Sequence, residues 1–73
     1  MVIELKAGQA TRDAVGQILS YMGDVSAEEP GGKVRGIIVA SDFDQKTKAA
    51  ARILPNLSLR RYSINFEFAE ATD

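Results

Sequence analysis

Apolar positions alternate at the start of the chain, recur at helical spacing through the next segment, and return twice more as strand-like runs. Val2-Ile3-Glu4-Leu5-Lys6 reads as a short strand, with Ile3 and Leu5 on one face and Glu4 and Lys6 on the other. Ala7-Gly8-Gln9-Ala10 is predicted to turn. From about 12 to 28, Ala14, Val15, Ile18, Leu19, Met22 and Val25 form an apolar stripe. Thr11 is the expected N-cap, and Asp13 falls in the first turn, where the helix dipole favours an acid. Gly16 and Gly23 each weaken this helix by up to about 1 kcal/mol relative to Ala, so packing has to hold it.

Glu28-Glu29-Pro30-Gly31-Gly32 is a stop followed by a turn. The segment Val34 to Ala40 ends in a continuous apolar run, the mark of a strand covered on both faces. Ser41, with Asp44 three residues on, resembles a capping box with Asp in the Glu position, opening a second helix to about Leu54. Pro55-Asn56 ends that helix. A third strand is expected over 57–68, in which Tyr62, Ile64, Phe66 and Phe68 alternate with Ser63, Asn65 and Glu67. Leu57 and Leu59 have the opposite parity, so the phase slips near Arg60-Arg61, where a bulge or a break is predicted. The order is β-α-β-α-β in one α/β domain over 1–73, a three-stranded mixed or parallel sheet with two helices. The crossover helices imply that the first two strands run parallel.

A chain of 73 residues makes one small domain with a thin core. Such a core rarely supplies more than roughly 3–5 kcal/mol without a disulfide, a metal or a partner. The chain has no Cys and no His, which excludes disulfides, thiolate–zinc sites and His-based catalysis. Carboxylate-bound Mg²⁺ or Mn²⁺ remains open, because hard cations take oxygen ligands. Association with another chain is the expected source of added stability. The net charge of −1 announces no nucleic-acid partner, but its distribution is uneven. Acids cluster from Asp24 to Glu29 and from Glu67 to Asp73, with Lys33, Arg35, Arg60 and Arg61 between them. With no apolar run of about 18 residues and no charged-then-apolar start, a cytosolic protein without a membrane partner is expected.

Two constellations carry candidate chemistry. Glu4 and Lys6 lie two apart on a strand and so share a face. A carboxylate there can ligate Mg²⁺, and a neighbouring Lys can orient the attacking water and stabilise a pentavalent phosphate. Such pairs are also common on exposed strand faces as solvated charges. Gln17 and Tyr21 are four apart and share a helix face near Ala14 and Ile18. Arg60 and Arg61, with Lys33 and Arg35, are candidate phosphate contacts.

Val-Ile-Glu-Leu-Lys, then a turn, then Ala-Val-Gly-Gln-Ile-Leu-Ser-Tyr-Met opening a helix, resembles the PD-(D/E)XK nuclease superfamily. More narrowly, it is similar to the RecB-type motif in which Gln-x-x-x-Tyr follows the Glu-x-Lys strand. Val-Arg-Gly-Ile-Ile-Val-Ala and the helix after it are similar to mismatch-type endonucleases of archaea and actinobacteria. The resemblance spans about residues 2–68. It implies that Glu4 is a metal ligand for Mg²⁺ or Mn²⁺, that Lys6 is catalytic, and that Gln17 stands beside the site. It also implies that Tyr21 contacts DNA or supports the site. The family's catalytic Asp lies on a preceding strand. With Met1 taken as the start, the resemblance therefore implies a partial restriction-endonuclease-like core without that acid and without the hairpin partner of the Glu-x-Lys strand. Asp13, Asp24, Asp42 and Asp44 fall on or beside helices and are not expected to replace it. The implied function is a DNA-associated nuclease-like domain, incomplete on its own. The alternative is a non-catalytic remnant or assembly module that forms a homodimer through the strand at Val2 to Leu5, whose family neighbour is missing.

Overall fold

A computed structural model describes residues 1–29 and 31–71. The stop assigned to Pro30 and the acidic end at Asp73 lie outside the described residues. The opening alternation forms β1 (Val2–Leu5), and the helical stripe forms α1 (Arg12–Glu28). The apolar run forms β3 (Gly36–Ala40), followed by α2 (Gln45–Arg52) and β5 (Leu57–Arg61). Two short strands that the sequence does not announce, β2 (Gln9–Ala10) and β4 (Asp42–Phe43), pair parallel beyond the sheet. The predicted turn at 7–10 thus contains β2. Gly8 makes the turn possible with φ of 87°, a region that side-chain-bearing residues avoid.

The main sheet has the order β1-β3-β5, and both pairings are parallel. The chain steps across the sheet twice in the same direction, and both helices pack on one face. There Ala14, Val15 and Ile18 of α1 meet Ile38 and Ala40 of β3, Leu57 of β5, and Ala10 and Phe43 of the short strands. Fully buried Thr47 brings α2 into the same layer. Among the described residues no helix lies over the other face. The double coverage expected of β3 is therefore corrected: Gly36, Ile38 and Ala40 are buried, while Ile37 and Val39 are only half-buried. Leu19, placed in the apolar stripe, is 38% exposed at the margin of α1.

Two boundaries also differ from expectation. The third strand ends at Arg61 rather than Phe68. Its partner β3 ends at Ala40, opposite Arg61, and the last rung is Tyr62 N–H donating to Ala40 O at 3.0 Å. The expected phase slip is the end of the strand, and Ile64, Phe66 and Phe68 continue into solvent. The second helix is capped by Asp44, not Ser41. Asp44 Oδ1 accepts from Thr47 N–H at 2.8 Å, while Ser41 N–H donates to Gly8 O at the start of the β2–β4 ribbon.

Candidate functional site

β1 is an edge strand whose Val2 and Lys6 N–H groups donate to Arg35 O and Val39 O, both at 2.8 Å. By strand alternation the N–H groups of Ile3 and Leu5 point to the open edge. The side chains are sorted in an unusual sense. Ile3 and Leu5 face the uncovered side, 63% and 71% exposed, whereas Glu4 and Lys6 face the helix layer and are half-buried.

At the flank of α1 the two charges meet Gln17. Lys6 Nζ donates to Gln17 Oε1 at 2.9 Å and stands 3.5 Å from Glu4 Oε1. The Glu-x-Lys strand and the Gln-x-x-x-Tyr helix thus converge on one lysine. Tyr21 lies one turn further along α1, 52% exposed.

Tyr62 is a residue that sequence reasoning did not single out for this site. Its hydroxyl accepts from Gly8 N–H at 3.3 Å and reaches Lys6 O at 3.5 Å, holding the turn after Lys6 across a separation of 56 residues. Its only sequence signal is its place in the alternation after β5.

The basic residues do not form one patch. Lys33 and Arg35 precede β3 at the amino end of the sheet, while Arg60 and Arg61 lie at its carboxyl end beside Val39 and Ala40. Arg61 faces the helix side and pairs with Asp42 at 3.1 Å. Arg60, of opposite parity, is on the open face. The four aspartates on or beside the helices are committed elsewhere or stand apart: Asp44 caps α2, Asp42 holds Arg61, and Asp13 and Asp24 are exposed on α1.

Mg²⁺ usually leans on one or two carboxylates together with water and substrate phosphate. Here the oxygen donors are the single Glu4 carboxylate and the Gln17 amide oxygen, and both are turned to Lys6. Among the described residues no three His, Cys, Asp or Glu side chains come together as a metal-binding group. This donor set by itself does not fit a divalent cation. No helix among the described residues is long and apolar enough to cross a membrane. No protein-family model, curated protein or solved structure matches this chain.

Proposed function

We propose that this domain is the Glu-x-Lys half of a PD-(D/E)XK-type nuclease core, associated with DNA, whose second acidic ligand comes from outside these residues. The observation that supports the reading is the inverted β1, with Lys6 held between Glu4 and Gln17 on the helix side and two apolar residues facing outward. Stability does not account for that arrangement. A partly solvated ion pair contributes on the order of 0.2–1 kcal/mol, less than the roughly 1.5–3 kcal/mol of a fully buried aliphatic side chain. Residues that are poor choices for folding mark positions kept for chemistry. In this reading Lys6 presents its ammonium to the phosphodiester, Gln17 orients it, and Glu4 would be one ligand of Mg²⁺ or Mn²⁺ once a second carboxylate is present. The open edge of β1 is where a strand carrying that carboxylate would add.

The test combines stability with DNA binding. Glu4→Gln and Lys6→Met are expected to leave the melting temperature unchanged or raised. In Lys6→Met the anisotropy-measured affinity for a labelled DNA duplex in Mg²⁺ should fall several-fold. The unmodified chain should cleave plasmid in Mg²⁺ or Mn²⁺ at close to background. A melting temperature lowered in both variants with binding unchanged would make the pair structural and sink the proposal. Robust cleavage abolished by Glu4→Ala and by Lys6→Ala would show that no outside acid is needed.

A second reading, an assembly module that dimerises through β1, draws on the same open edge and on the exposed Ile3 and Leu5.

A further inference from the structure

Two apolar surfaces of this protein lack partners, and they complement each other. The first is a groove of about 460 Å³ on the uncovered face at the carboxyl end of the sheet, lined by Leu5, Lys6, Ala7, Val39, Tyr62 and Ile64. The second is the tail beyond β5, where Ile64, Phe66 and Phe68 are 65%, 75% and 94% exposed. The Phe66 and Phe68 rings stack on each other with centroids 6.4 Å apart. The tail does not fold back. The chain measures 59 × 28 × 16 Å with a radius of gyration of 16.2 Å, against about 11 Å for a compact domain of this length. Ile64 reaches its own groove, and the two phenylalanines that follow lead away from it.

We infer that the groove receives the Phe66–Phe68 pair of a second copy, in a reciprocal tail exchange that closes a two-fold dimer. Each chain carries both the groove and the aromatic pair, so donating and receiving are the same contact, and the assembly closes at two copies. Charge supports it. Arg60 stands beside Val39 on the groove's face, and the tail carries Glu67 and Glu70 with no basic residue after Arg61. Size supports it as well. Two phenylalanines per tail, at up to roughly 150–250 Å² each, set on two copies against the groove and the uncovered sheet face around it, reach at most the order of the 1,200–2,000 Å² of a stable interface. The contact leaves the edge of β1 free and stands independently of the nuclease reading.

The experiment is sedimentation of the full chain at tens of micromolar, compared with Phe66→Ser/Phe68→Ser and Ile3→Pro. The wild type should be a dimer. The tail double variant should be a cooperatively folding monomer, its dissociation constant raised at least tenfold, because both rings are already exposed in the single copy. The chain has no Cys, so Val39→Cys mixed with Phe66→Cys should form a crossed disulfide on mild oxidation. A monomeric wild type, a dimer that survives loss of both phenylalanines, or a dimer broken only by Ile3→Pro would overturn the inference. The last result would assign the contact to the β1 edge.

Discussion

Asp44 shows how one side chain sets an element boundary. Its carboxylate lies below the ordinary value of 3.8, chiefly through the Thr47 side chain and then the Thr47 backbone N–H, with Lys46 and Arg12 adding to the effect against partial desolvation. The Thr47 hydroxyl is directed to this region but stops short of hydrogen-bond geometry, being buried without a partner, so the backbone bond at 2.8 Å is the firm contact. A carboxylate whose folded-state pKa is depressed stabilises the fold above its unfolded value of about 3.9, and that contribution is lost as pH falls through the folded value. Asp44→Ala is therefore expected to melt below wild type near neutral pH, with the difference narrowing as pH drops under about 4. Thermal unfolding followed by circular dichroism across that range checks it. A constant difference would mean that the cap acts through something other than its charge.

The packing of α1 on β3 depends on a missing side chain. A Cβ at Gly36 would sit 2.6 Å from Met22 Sδ and 3.0 Å from Ile18 Cδ1. Met22 is flexible, but Ile18 is fully buried and has little room to yield. Overpacking of this kind costs about 1–3 kcal/mol, against at most about 1 kcal/mol recovered from a stiffer unfolded chain. Gly36→Ala should therefore lower the unfolding free energy. Met22→Ala should relieve part of the clash, so the double variant should be less destabilised than the sum of the two single variants in denaturant titrations. Strict additivity would show that the helix shifts as a body instead. Gly36 also marks where the strand begins. The apolar run predicts a start at Val34, but Gly36 is the first residue paired on both sides, to Val2 and to Leu57.

Across the molecule, the candidate phosphate-binding residues are divided between the two ends of a parallel sheet. Ligands of open α/β sheets bind beyond the carboxyl ends of the strands, and Lys6, Arg60, Arg61 and Tyr62 lie at that end, with Lys33 and Arg35 at the other. If DNA follows Lys6, Arg60→Ala/Arg61→Ala should weaken binding equally for all duplex sequences. The slope of log K against log salt should become shallower by about 0.9 for each phosphate that is no longer neutralised. Lys33→Ala/Arg35→Ala should leave the slope unchanged. The reverse pattern in an anisotropy titration would move the interface to the amino end.

Local periodicity carried a large part of this architecture. The alternation at Val2 to Lys6, the helical stripe from Ala14 to Val25 and the apolar run ending at Ala40 are properties of neighbouring residues. They were enough for the β-α-β-α-β order, the parallel pairing of β1 with β3, and the pairing of Glu4 with Lys6 on one face; that β5 also runs parallel to β3 only the sheet showed. They did not say which face. That depended on both crossovers placing their helices on the same side, which turned Glu4 and Lys6 towards Gln17 and left Ile3 and Leu5 uncovered. Nor did alternation from Tyr62 to Phe68 make a strand, because a strand lasts only as long as its neighbour, and β3 stops at Ala40. The hydroxyl of Tyr62 on Lys6 and Gly8, and the separation of Arg35 from Arg60, join or divide residues far apart in the chain. Such relations arise only when the sheet is assembled, since side-chain period records which residues share a face but not what that face meets.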